Sequence, residues 1–228
     1  METAHYERRA ALMKRLIIVC EGPTEHEFCV NVLAPELLKA NIYVDAPLVK
    51  RSNGGIVPWS SIKRQIEMHL REKDAYVTLF VDYYGIKDGY NFPGWVDSKV
   101  IFPLSSRLQF LCDCMKADIS PELASRFIPY MQIHEFESLL YSDIDVFRSN
   151  FDDHELDFSK LESAIREFPN PEDINSNPNR APSKRLIEAI SGYEKVVYGS
   201  CLAEEIGLDK ILAKCPLFRQ WFLTLRDI

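Results

Sequence analysis

The sequence predicts an α/β fold: a mostly parallel sheet with flanking helices, followed by an α-helical C-terminal part. Three observations carry this. Apolar runs at 15–20, 43–49, 75–82 and 126–133 have the length and β-rich composition of strands, and those at 15–20 and 75–82 are apolar almost throughout, as strands buried on both faces are. Helical patterns separate the first three runs, which gives the strand-helix-strand-helix-strand order of a sheet covered on its faces. Beyond residue 150 the pattern is helical and polar. The chain therefore divides into an N-terminal extension (1–12), an α/β domain (13–150) and a helical subdomain packed on it (151–228).

Each element has a local reason. "KRLIIVC" is the first strand, and "TEHEFCVNVLAPELLKA" the first helix, with Phe28, Val32 and Leu33 as its apolar stripe. Thr24 reads as the cap of that helix and Glu27, three residues on, as its capping-box partner. Pro35 should kink or divide the helix, because its ring has no N–H to donate. "IYVDAPLV" is the second strand, "RSNGGIVPWS" a Gly-rich loop, "SSIKRQIEMHLREK" the second helix and "AYVTLFVD" the third strand. An aromatic loop, "YYGIKDGYNFPGW", precedes a helical region at about 97–117. "RFIPYMQIHEF" is the fourth strand and runs into "EFESLLYSDID". "DFSKLESAIREF", "SKRLIEAISGYEKVVYG" and "LAEEIGLDKILAKCPLFRQWFLTLR" are helical, and "NPEDINSNPNRAPSKR" is a Pro- and Asn-rich loop.

Composition limits the function classes. A 46% hydrophobic share in 228 residues supports a sizeable core. The formal net charge of -7 argues against indiscriminate coating of nucleic acid, which rests on neutralising phosphates. No apolar run approaches the roughly 20 residues of a membrane helix. The first residues lack the apolar centre of a signal peptide, so the expectation is a cytoplasmic protein with no membrane partner. Six cysteines show no zinc spacing; Cys20 and Cys29 read as core, and "CDC" at 112–114 as core rather than a soft-metal site.

Acids mark the ends of the strands. Glu21 ends the first, Asp82 the third, and Glu135 and Glu137 lie where the fourth ends. In open parallel sheets, ligands bind beyond the carboxyl ends of the strands. Carboxylates gathered there repel one another unless protonated or neutralised, and a hard divalent cation such as Mg²⁺ (or Mn²⁺) does the latter. Each acid also has a simpler reading: Glu21 and Glu25 as helix-dipole partners, Asp82 as a turn former, Glu135 and Glu137 as solvated groups. No Walker A loop, Rossmann glycine triplet, HExxH pair or nucleophile elbow competes. His26 and His134 read as helix-face or supporting groups rather than ligands.

Arg180, Lys184 and Arg185 form a local basic group in "NRAPSKRL", where Ser183 heads a helix. A phosphate suits such an N-terminus, and so does an ordinary solvated start. Lys195, after "GY", falls on the same face in this reading. Tyr83, Tyr84, Tyr90, Phe92 and Trp95 either stack on bases or pack the aromatic loop against the helical part.

"VCEGPTEHEF" and "LFVDYYG", each ending a strand in an acid, resemble the Rossmann-like TOPRIM fold of topoisomerases, bacterial primases and overcoming-lysogenization-defect nucleases. More closely, "EGPTE", "VDYYG…FPGW", "IHEFESLLYSD", "APSKRL" and "CPLFRQWF" resemble a bacterial family of TOPRIM-like proteins known as a domain of unknown function. The resemblance implies Glu21 as a general acid or base and Asp82 as the first acid of the TOPRIM Asp-x-Asp pair. Tyr84 stands where the second acid belongs, and Glu135 or Glu137 would supply the missing ligand. A metal-dependent phosphodiester hydrolase acting on DNA or RNA follows, in an anti-phage defence setting with a separate ATPase as partner. A catalytically degenerate regulatory or interaction subunit is the alternative. Glu25, His134 and Lys195 would support the ligands, and Arg180, Ser183, Lys184 and Arg185 would hold substrate phosphate.

Overall fold

The computed structural model describes residues 13–50, 55–174 and 180–228. The N-terminal extension, part of the Gly-rich loop (51–54) and part of the Pro- and Asn-rich loop (175–179) lie outside these. Four strands form one sheet: β1 (Lys14–Cys20), β2 (Ile42–Asp45), β3 (Ala75–Phe80) and β4 (Phe127–Ile128). Their order is β2-β1-β3-β4 and every pairing is parallel, as the apolar runs and intervening helices predict. Two strands are shorter than their apolar runs, and proline is the reason. After β2 the chain passes Pro47, whose carbonyl accepts from Cys20 N, and pairs again only at Leu48. After β4, Pro129 interrupts the ladder, which resumes where Gln132 N donates to Val81 O at 2.8 Å.

The first helix begins earlier than its sequence suggests. α1 (Pro23–Phe28) has Gly22 as its N-cap residue and Pro23 in its first position, where a missing N–H costs nothing. The third position is therefore Glu25, not Glu27, and Glu25 Oε2 accepts from Gly22 N at 3.0 Å. Thr24 is consequently not the cap; it points inward and is buried. Pro35 acts as expected. A π-helical turn, Cys29–Leu33, separates α1 from α2 (Ala34–Lys39), and this wider turn accommodates the ring of Pro35 at the start of α2.

Alternation along the strands builds two cores. Leu16, Ile18, Cys20 and Phe80 face one side of the sheet, and Ile17, Val19, Val77 and Leu79 the other. The second side is covered by α3 (Trp59–Leu70), α4 (Trp95–Ser98), α5 (Leu104–Asp118) and α6 (Pro121–Ala124). A 3₁₀ segment, Phe136–Ser142, and the C-terminal helices cover the first side. These helices are α7 (Ile144–Asn150), α8 (Phe158–Glu167), α9 (Pro182–Ala189), α10 (Lys195–Ile206), α11 (Leu208–Lys214) and α12 (Pro216–Arg226).

The last of them is tied directly to the sheet. Trp221 Nε1 donates to Thr78 Oγ1 at 2.9 Å, and its ring stacks on Tyr130 at 4.3 Å. Glu172, itself buried, accepts from Leu217 N and Phe218 N at 2.9 and 2.8 Å and so satisfies the start of α12. No helix among the described residues is long and apolar enough to cross a membrane.

Close approach of α10 to α1 depends on Gly199. A Cβ there would lie 2.9 Å from Thr24 Cγ2. Gly→Ala inside a helix ordinarily adds up to about 1 kcal/mol of stability. Here the overlap reverses the sign, and Gly199→Ala should cost about 1–3 kcal/mol. Thermal denaturation checks this, and Thr24→Ser, which removes Cγ2, should recover part of the loss in the double variant.

Candidate acidic site at the carboxyl edge of the sheet

Glu21 leaves the end of β1 with its backbone still on the ladder: its N–H donates to Phe80 O at 3.0 Å. Its side chain then reaches across, and Oε2 accepts from Asp82 N at 2.9 Å. The acid that ends one strand thus grips the residue that follows the next. The N–H of Ile56 also bonds to the Glu21 carboxylate. Asp82 is 6% exposed, and its Oδ1 has no hydrogen-bond partner among the described residues. Glu25, buried in the first turn of α1, adds a third carboxylate nearby.

Glu137 comes from the 3₁₀ segment and is fully buried. Lys195, the first residue of α10, places Nζ 3.0 Å from Glu137 Oε1, while Glu137 Oε2 has no partner among the described residues. Lys195 lies one helical turn before Gly199, so the close packing of α10 on α1 carries its ammonium to the acids. The hydroxyl of Tyr193, beside the same cluster, is likewise buried without a partner. Tyr193 belongs to none of the sequence motifs, and its place two residues before Lys195 is the one sequence signal for it.

Burial and mutual repulsion dominate the electrostatics. Burial, with Glu25 adding repulsion, pushes the Glu21 carboxyl up to about 7, although the Asp82 N–H and Lys195 pull against it. Asp82 is pushed well above the usual carboxylate range by burial and then by Glu25 and Glu21. Burial also raises Glu137, against the pull of Lys195. Burial alone would lower Lys195, but Glu137, Asp82 and Glu25 outweigh it and hold the ammonium charged. His134 sits at a left-handed φ of 67° and is held down to about 4 by burial, so it is neutral at ordinary pH.

Not all the predicted residues converge. Glu135 turns away: its Oε2 accepts from Ser183 N at 3.0 Å, in the first turn of α9. The N–H of Ser183, expected to meet a substrate phosphate, is thus engaged by a carboxylate of the same chain. Arg180 and Arg185 both approach Glu167 Oε2 at 3.8 Å, and the Arg185 guanidinium lies 5.3 Å from the Phe168 ring centre. Lys184 is exposed. In the aromatic loop, Phe92 is buried against Trp59 and Tyr83 packs on Trp95, while Tyr84 stays 41% exposed. Cys20 and Cys29 are buried 3.7 Å apart, as core residues, and Cys112 is buried too.

Among the described residues, the only three metal-ligand side chains with ligand atoms all within 4.8 Å of one another are Asp152, His154 and Glu155, which are exposed. Glu21, Asp82, Glu135 and Glu137 form no such triad. What the acidic site offers is oxygen donors only, two of them buried and unpartnered, around a single ammonium. Oxygen donors of this kind suit a hard divalent cation better than a soft one.

A raised carboxyl pKa has a definite sign. Between about 4.5 and about 7 the native protein holds a proton on Glu21 that the unfolded chain has released. Stability without divalent cations should therefore fall as pH rises through that window. Glu21→Gln should flatten the fall, and Asp82→Asn should do the same, since Asp82 is shifted in the same direction. Melting curves in a chelating buffer test this; parallel pH profiles for wild type and variants would mean that these carboxyls are solvated.

No curated protein and no solved structure matches the chain. A family described as a domain of unknown function, DUF4276, matches residues 20–226, which takes in the acidic site, β2, β3 and β4 and the last residue of β1. The chain belongs to this family of unknown function.

Proposed function

We propose that the chain is a metal-dependent phosphodiester hydrolase whose centre is the carboxylate cluster at the edge of the sheet. The observation that carries this reading is the pair of buried oxygens with no hydrogen-bond partner among the described residues, Asp82 Oδ1 and Glu137 Oε2, set among like charges with one lysine to offset them. An orphaned buried carboxylate oxygen is costly, and a divalent cation relieves that cost while screening the repulsion. Glu21, Asp82 and Glu137 are the residues that would hold Mg²⁺ or Mn²⁺. When bound, the ion supplies Lewis-acid polarisation of a phosphoryl oxygen and a more acidic water.

The chain's own groups account for the rest. Glu21 stands where the TOPRIM glutamate stands in the resemblance and is the candidate proton carrier. Its hydrogen bond to Asp82 N fixes it relative to β3. Lys195 neutralises Glu137 and keeps a positive charge at the site for a phosphate. DNA or RNA is the substrate class, and a separate ATPase in a bacterial defence system the partner, that the resemblance suggests. A second reading, a non-catalytic subunit on the same fold, is favoured by one observation: exposed Tyr84 occupies the position of the second TOPRIM acid.

Glu21→Gln and Asp82→Asn keep shape and remove charge. Each should weaken Mn²⁺ binding about tenfold or more in calorimetry, with the circular-dichroism spectrum unchanged. Cleavage of DNA or RNA should fall about a hundredfold or more. Equal Mn²⁺ binding by wild type and both variants would remove the metal centre. Normal binding with no cleavage, ATPase present, would establish the non-catalytic reading instead.

A further inference from the structure

Divalent centres for phosphodiester chemistry hold one ion, or two set about 3.5–4 Å apart, and two ions need enough carboxylate oxygens to ligate both. The acidic site is short of them. Glu135 Oε2 accepts from Ser183 N, away from the cluster. Tyr84, two residues after Asp82, brings no carboxylate. Glu21 Oε2 accepts from Asp82 N, and Ile56 N also bonds to that carboxylate. Glu25 Oε2 accepts from Gly22 N. The oxygens buried without a hydrogen-bond partner among the described residues belong to Asp82 and Glu137, and one oxygen of Glu137 faces an ammonium.

That ammonium is a cation already installed in the cluster. Lys195 Nζ lies 3.0 Å from Glu137 Oε1, and Asp82 and Glu25 act with Glu137 to hold it charged against burial. A lysine head is a compact point charge, which needs only one carboxylate oxygen here where a divalent ion takes several. Its position is fixed, because α10 packs closely on α1 at Gly199, one turn beyond Lys195. The side chain is 46% exposed, so the space around its head is open to ions from solvent.

We propose that the site takes a single divalent cation, on the carboxylates of Asp82 and Glu137, and that the Lys195 ammonium occupies the place of a second ion. The inference rests on the metal-centre reading and deepens it by fixing the number of ions. Glu137 is the shared ligand in this arrangement: Oε1 serves the ammonium and Oε2 the divalent ion. One consequence is permanent. A chelator strips the divalent ion but leaves the positive charge of Lys195 at the site.

The test counts Mn²⁺ ions bound to the full chain, by calorimetry and by the electron paramagnetic resonance signal of free Mn²⁺. The exposed group of Asp152, His154 and Glu155 offers a separate ion position, so every count is made in a His154→Ala background. With Lys195 intact the chain should bind one ion, and with Lys195→Arg, which keeps the charge, also one. Lys195→Met removes the charge at similar length and should bind two, the second at least about tenfold more tightly than the chain with Lys195 binds it. In chelator Lys195→Met should melt below wild type, because Glu137 loses its partner, and saturating Mn²⁺ should close that gap. If Lys195→Met does not fold, Lys195→Gln carries the same count. Two ions with Lys195 intact, or one ion at unchanged affinity in the folded uncharged variant, overturns the inference and leaves the metal centre standing. No Mn²⁺ bound with Lys195 intact, even at millimolar concentration, overturns the metal centre and the inference together.

Discussion

Four carboxylates, Glu21, Glu25, Asp82 and Glu137, crowd the carboxyl edge of the sheet, and one ammonium offsets them. Much of the architecture follows from keeping that imbalance tolerable. Lys195 is not part of the sheet or its crossover helices; it arrives on α10, from the far end of the chain. It reaches the acids only because α10 lies almost in contact with α1, and that needs a residue without a side chain at Gly199. The helical C-terminal part is thus more than a cover for an apolar face. It delivers the countercharge without which Glu137, fully buried, would stand alone.

The sequence made the sheet legible because its signal is simple. β1 and β3 are apolar on both faces, as central strands of a covered sheet are, and their shortness and β-branched content separate them from a buried helix. β2 and β4 were legible as strands but not in their ends, since Pro47 and Pro129 interrupt pairing without interrupting hydrophobicity. The start of α1 was misplaced for a related reason. Thr24 and Glu27 satisfy the capping pattern as letters, but Pro23 in the first helical position sets the start two residues earlier and hands the role to Glu25.

Within the candidate site, strand-end acids could be found by position alone, because a parallel sheet places all its carboxyl ends together. Which of two nearby glutamates turns inward could not. Glu135 and Glu137 are two residues apart, and the 3₁₀ turn that starts between them sends one to Ser183 N and the other to Lys195. Tyr193 belongs to no motif; its burial beside the acids depends on residues distant in the chain. The basic loop shows the converse: Arg180 and Arg185 read as a phosphate cradle, yet Glu167 on α8 meets them both.

The tie between Trp221 and Thr78 spans 143 positions, and the apolar face beneath it is shared by Leu16 near one end of the described chain and Leu225 near the other. During synthesis, β1 and β3 leave the ribosome long before α12 exists to cover them. At about 5–20 residues per second, that face waits roughly 7–30 seconds in water or in the keeping of a chaperone. Assembly of the acidic site is subject to the same delay, since Lys195 too emerges late. The nascent chain therefore carries its full set of acids before it carries the cation that balances them.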